Sequence, residues 1–97
     1  MKTEDLEREV ISKLTDEGRT LATAESCTGG LLGKLLTDVP GASNAYKGGV
    51  ISYVNEVKHR LLGVEQETLD ICTAVSRETA HEMAKGAREA VKADVGV

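Results

Sequence analysis

Apolar side chains at Leu6, Val10, Ile11 and Leu14 recur at helical spacing near the start of the chain, which predicts an amphipathic helix over roughly 4–17. Thr3, Glu4 and Asp5 precede it as capping and dipole-matched residues, and Gly18 follows as a stop. The next run, Thr20-Leu-Ala-Thr-Ala-Glu25, is short, holds β-branched residues and ends at Ser26-Cys-Thr-Gly-Gly30. It reads as a strand running into a turn of small residues. From Thr28 onward Leu31, Leu32, Leu35, Leu36 and Val39 resume the helical period, and Pro40-Gly41 ends it.

Gly48-Gly49 and the cluster Val50, Ile51, Tyr53 and Val54 predict a mostly buried strand over residues 46–54, with a bulge or close backbone approach at the glycines. Asn55 then caps a short helix that Gly63 breaks after Leu62. Residues 65–69 form a loop or a short helical turn. Ser76 is the N-cap of a last helix whose face carries Ala80, Met83, Ala84, Ala87 and Val91. Val95-Gly-Val97 has the character of the first residues of another strand, so the pattern stops inside an element. Strands and helices alternate throughout, which predicts one layered α/β or α+β domain over residues 1–97, with helices covering a small sheet.

Composition narrows the picture. The chain has 97 residues, no Trp, no Phe and two Tyr, so its core is aliphatic and small. A net charge of −4 with scattered basic residues offers no long-range attraction to a phosphate polymer, and nucleic acid is not an expected partner. No apolar run reaches the length of a membrane span, and the start, Met1-Lys-Thr-Glu-Asp5, is too polar for a signal peptide, so a cytoplasmic location is expected. Cys27, Cys72, His59 and His81 do not fall at metal-ligand spacings, and the thiols are expected to be free.

Three segments could carry chemistry. In Ala24-Glu-Ser-Cys-Thr-Gly-Gly30, a strand-to-helix turn gathers hydroxyls and unpaired N–H groups that could hold an anion or an oxyanion; an ordinary helix cap is the plainer alternative. Ser43, after the Pro40-Gly41 stop, reads equally as a polar loop residue. Lys58 is the most informative. With Asn55 as cap it falls at the third helical position, where the positive end of the helix dipole opposes its charge. A free lysine keeps its proton to about pH 10, and the dipole supplies only about 0.3–1 kcal/mol. Lys58 is therefore a base only if the fold keeps its amine dry beside a serine hydroxyl. Cys27 is a rival nucleophile, but His59, next to Lys58, would point about 100° away from it on a helix, and no histidine is placed to partner a thiol. His81 reads as a surface or boundary residue.

Taken together, Ala24-Glu-Ser-Cys-Thr-Gly-Gly30, Pro40-Gly-Ala-Ser43, Gly48-Gly-Val-Ile-Ser-Tyr53, Asn55-Glu-Val-Lys58, Leu62-Gly-Val64 and Ala74-Val-Ser76 stand in the order and spacing of one family. Nearly the whole chain resembles the CinA C-terminal domain, also known as PncC. The resemblance implies a three-layer α/β/α sandwich with a small central sheet. It also implies hydrolysis of nicotinamide mononucleotide to nicotinic acid mononucleotide and ammonia, in pyridine nucleotide recycling, by a serine and a lysine base without cofactor or metal. Carried over by motif, Lys58 matches the family's lysine, Ser43 is taken as the nucleophile with Ser26 as the other functional serine, the two roles being exchangeable without disturbing the motif match, and Thr28, Gly29, Gly30 and Tyr53 line the substrate site.

The family's domain continues through further strands, a Gly-Pro-containing loop with a functional threonine and a substrate-holding arginine, and this C-terminal part is missing here. The alternative is therefore a non-catalytic nucleotide-binding or assembly module of the same fold. Expected partners are a small nucleotide and a second copy of the chain, the latter through exposed sheet edges.

Overall fold

A computed structural model describes residues 3–97. The expected capping by Thr3, Glu4 and Asp5 lies outside the described side chains. The element order is α1 (Thr3–Glu17), β1 (Leu21–Glu25), α2 (Leu31–Thr37), a 3-10 turn (Ala42–Asn44), β2 (Tyr46–Ile51), α3 (Asn55–Leu62), α4 (Gln66–Cys72), α5 (Arg77–Val91) and β3 (Val95–Gly96). The three strands form one parallel sheet in the order β2-β1-β3.

Strand alternation sorts the core into two layers. Leu21 on β1 joins Ile11, Leu36, Ala42 and Ala45, so α1, α2 and the 3-10 turn cover one face. Its neighbour Ala22 joins Leu62, Val64, Leu69, Met83 and Ala87, so α3, α4 and α5 cover the other. The expected three-layer α/β/α architecture is what the chain adopts. β1 is the central strand, buried on both faces, and its small residues leave room for helices above and below.

Several boundaries differ from the sequence pattern, each for a local reason. α2 starts at Leu31 rather than Thr28 because Gly29 and Gly30 take left-handed backbone angles, φ 66° and 112°, which no right-handed helix contains. β2 stops at Ile51 and alternates half-buried with exposed positions, instead of being mostly buried, because it is an edge strand. The expected bulge is present: Leu21 pairs with Tyr46 and Ala22 with Gly48, leaving Lys47 as the extra residue. In α3 the N-cap position is Val54, and Asn55 is already helical and caps nothing. Lys58 is consequently the fourth helical residue. The segment after Gly63 is a full helix, α4, while Ser76 caps α5 as expected by accepting from Thr79 N.

Close backbone approach sets the spacing of the second layer. A Cβ on Gly86 would lie 1.8 Å from the carbonyl oxygen of Leu62, and one on Gly96 would lie 2.2 Å from that of Ala84. Gly86→Ala gains about 1 kcal/mol of helix propensity, yet it forces α3 away from α5 against backbone atoms that cannot rotate aside. The net expectation is a loss of about 1–3 kcal/mol, read as a lower urea midpoint.

Two carboxylates tie the elements together. Asp94 Oδ2 accepts from Thr20 N at 2.8 Å and from Thr20 Oγ1 at 3.1 Å, fixing the approach to β3. Glu82 accepts from Glu65 N at 2.9 Å and from Thr68 Oγ1 at 2.7 Å, fixing the start of α4. The bonds from Thr20 hold the Asp94 carboxyl below its ordinary value, and those from Glu65 and then Thr68 do the same for Glu82. A lowered carboxyl stabilises the fold fully above its ordinary value and loses that contribution as pH falls through the folded value. Thermal midpoints should therefore drop below about pH 4, and Asp94→Asn or Glu82→Gln should flatten that drop.

Candidate active site

β1 and β2 run parallel, but their outgoing connections part company. β1 leads to α2 on one face, whereas β2 leads to α3 on the other. Diverging connections make the carboxyl ends of these two strands a topological switch point, the place where open α/β sheets bind ligands. Ser26 follows the last residue of β1, and Ser52, Tyr53 and Lys58 follow the last residue of β2.

The two strand ends are joined at this point. Ser52 N donates to the Glu25 carbonyl at 2.7 Å, and Ser52 Oγ donates to the same oxygen at 3.4 Å. Ser52 is fully buried. Lys58 is only 3% exposed, and its Nζ donates to the Tyr53 carbonyl at 2.6 Å. The amine is thus held one residue beyond Ser52, on the strand end bonded to the residue that precedes Ser26. Among the described residues no hydroxyl accepts from it. Tyr53 itself is 75% exposed at the rim.

The turn after β1 is built around Glu25, which the sequence pattern did not single out. Its side chain is 5% exposed. Oε1 accepts from Thr28 Oγ1 at 2.9 Å and Leu32 N at 2.7 Å, and Oε2 accepts from Gly33 N at 3.0 Å. Gly30 caps α2 with no side chain of its own, so Glu25 supplies the acceptors that the helix start needs. The residue before the turn is a carboxylate and the capping position is glycine; that combination was the available signal. The Leu32 and Gly33 donors are thereby occupied by an anionic group. The amides of Cys27, Thr28 and Gly30 are left without a protein acceptor among the described residues.

Ser43 lies elsewhere. It is exposed in the 3-10 turn ahead of β2, in a surface cleft of about 410 Å³ shared with Thr37, Val39, Pro40 and Tyr46. Ala45, two residues on, accepts from Leu21 N at the start of β1. Ser43 and Lys58 are therefore separated by the length of β2, roughly 16 Å for six residues, and the structure does not bring them together within one chain. The reason is connectivity: one precedes the strand and the other follows it.

The remaining candidates are simply placed. Cys27 is exposed in the turn. His59 Nδ1 lies 2.7 Å from the Val64 carbonyl, so that nitrogen carries the hydrogen and ties α3 to the segment after Gly63. His81 is exposed on α5. Among the described residues no group of His, Cys, Asp and Glu could hold a metal, and no helix is long and apolar enough to cross a membrane.

A sheet clad by helices on both faces, with a buried lysine and a hydroxyl-bearing turn at neighbouring strand ends, defines a three-layer α/β domain. The chain belongs to the family of the CinA C-terminal domain, whose model matches residues 3–97. A relative from Caldanaerobacter subterraneus subsp. tengcongensis, named as competence-damage inducible, is 55% identical over 94 residues, which are 97% of this chain and 23% of the relative. The solved structure of a competence-damaged protein (CinA) superfamily protein from Enterobacter cloacae is 39% identical, with a TM-score of 0.94 over 97% of this chain and 56% of that one. A competence or damage-inducible protein from Enterobacter asburiae is 42% identical, with a TM-score of 0.93 over 97% and 59%. The chain thus spans less than a quarter of that curated relative and just over half of the solved structures it matches.

Proposed function

We propose that this chain carries the reacting groups of a nicotinamide mononucleotide amidohydrolase, with Lys58 as base and Ser26, rather than Ser43, as nucleophile. The observation that carries this reading is the burial of Lys58 at the strand end bonded to the residue before Ser26. Among the described residues, the cleft around Ser43 is lined by no lysine, histidine or carboxylate.

In the reading, the Lys58 amine accepts the hydroxyl proton of Ser26 as its oxygen attacks the carboxamide carbon. The Tyr53 carbonyl orients the amine from one side, leaving its other positions for the serine. The free amides of Cys27, Thr28 and Gly30 are the available donors for the tetrahedral oxyanion. The protonated lysine returns its proton to the departing nitrogen, which leaves as ammonia. Water then attacks the acyl-serine with Lys58 again taking a proton and passing it to the Ser26 oxygen as the acyl bond breaks, which releases nicotinic acid mononucleotide and restores the neutral amine. Thr28, Gly29, Gly30 and Tyr53 border the crevice where the substrate ring would lie. No step calls for a cofactor.

A second reading rests on a specific fact. The chain spans just over half of the solved relatives it matches, so this stretch could serve as a nucleotide-binding or assembly module whose turnover depends on groups outside it.

Ammonia release from nicotinamide mononucleotide, measured on the unaltered chain and on three variants, separates these. Lys58→Ala and Ser26→Ala should each lower turnover by about 10²–10⁴-fold, while Ser43→Ala should stay close to the unaltered rate. Loss confined to Ser43→Ala would reverse the assignment of the nucleophile, and full activity in Lys58→Ala would remove the mechanism. Binding without any turnover by the unaltered chain would favour the module.

A further inference from the structure

The peptide that leads into Ser26 is gripped from two directions. Toward β2, the Glu25 carbonyl takes both donors of Ser52. Toward α2, the Glu25 carboxylate takes Thr28 Oγ1, Leu32 N and Gly33 N. A serine or asparagine cap fixes one or two donors at a helix start. Here three donors spread over six residues converge on one carboxylate, and that requires both of its oxygens to accept.

The space around this carboxylate is also prepared. A Cβ on Gly33 would lie 3.3 Å from Glu25 Oε2 and 2.8 Å from the Tyr46 hydroxyl, and one on Gly49 would lie 2.9 Å from that hydroxyl. The Tyr46 hydroxyl in turn shares a 2.7 Å hydrogen bond with Thr23 Oγ1. Two glycines, one on α2 and one on β2, thus admit a buried polar layer directly behind the turn.

We infer that Glu25 is a positioning residue for the reaction: its carboxylate locks the turn between β1 and α2 so that Ser26 stands at a fixed place opposite Lys58. It does not touch the substrate. Its effect passes through the Glu25–Ser26 peptide and through Thr28, which brace the serine on both sides. This inference rests on the reading of Ser26 and Lys58 as the reacting pair. A glutamine in place of Glu25 keeps the volume but exchanges one acceptor for an amide that faces a backbone N–H. One arm of the grip then opens, and the turn is free to shift.

The test compares Glu25→Gln and Thr28→Val with Glu82→Gln in the full chain. Glu82 makes a comparable grip at the start of α4, on the opposite face of the sheet, and serves as the control for stability alone. All three variants should melt at lower temperature. Only the first two should lose kcat, with KM within a few-fold of the unaltered chain. Misplacing a reacting group by about 1 Å costs on the order of 10²-fold, and a loss of that order is expected for Glu25→Gln. An unchanged kcat in folded Glu25→Gln, or an equal loss in Glu82→Gln, would overturn the inference.

Amide hydrogen exchange provides a readout that does not need turnover. Glu25→Gln should speed exchange at Leu32 and Gly33 and through residues 26–30, while Ala22 and Ala24 on β1 stay protected. No acceleration in that turn, or equal acceleration along the whole chain, would overturn the positioning role. If the unaltered chain releases no ammonia, the hydrolase reading fails, and the exchange result still decides whether Glu25 locks the turn.

Discussion

A carboxylate withdrawn from water must find donors, and Glu25 finds them in the first turn of the helix that follows it. Burying it unmatched would cost several kcal/mol, so β1 and α2 cannot be arranged independently. The position of α2, the path of residues 26–30 and the glycines that clear the way all follow from that single requirement. The positive end of the helix dipole faces the same group and adds to the match. Much of the first layer is in this sense organised around one side chain at the end of the central strand.

How far the sequence disclosed this depends on the signal in each segment. α1 and α5 are long enough for period to reveal them, and Gly63 and Ser76 mark the end of α3 and the start of α5. The alternation of strands and helices gives a layered domain with helices covering a small sheet, while the three-layer order is what the family resemblance adds. The end of β2 was misjudged because Tyr53 and Val54 are apolar in type but exposed in fact, beyond the pairing with β1. α4 was ambiguous because seven residues with one buried leucine give hardly any period.

The site was legible in part. Lys58 drew notice as a cation at an unfavourable helix position, and it is indeed buried, though one helical position later than expected. Linear order within a family motif does not say which end of a strand a residue occupies, and Ser43 precedes β2 while Lys58 follows it. Counting would have helped: a strand intervenes between the two. Glu25 carries no signal of its own in the pattern, because a carboxylate at the end of a strand is ordinarily a solvated residue. Only the absence of a side-chain cap at Gly30 hinted that the helix drew its acceptor from upstream.

The parting of the two connections at the sheet has one more consequence. Ser26 travels with the helices on one side of the sheet, and Lys58 with those on the other, so their separation is a measure of how the two halves of the sandwich sit across β1. A core of aliphatic chains with close glycine contacts gives little slack in that dimension. The sheet therefore acts as a gauge block between hydroxyl and amine, and on the proposed reading packing far from the strand ends sets the gap across which a proton would have to pass.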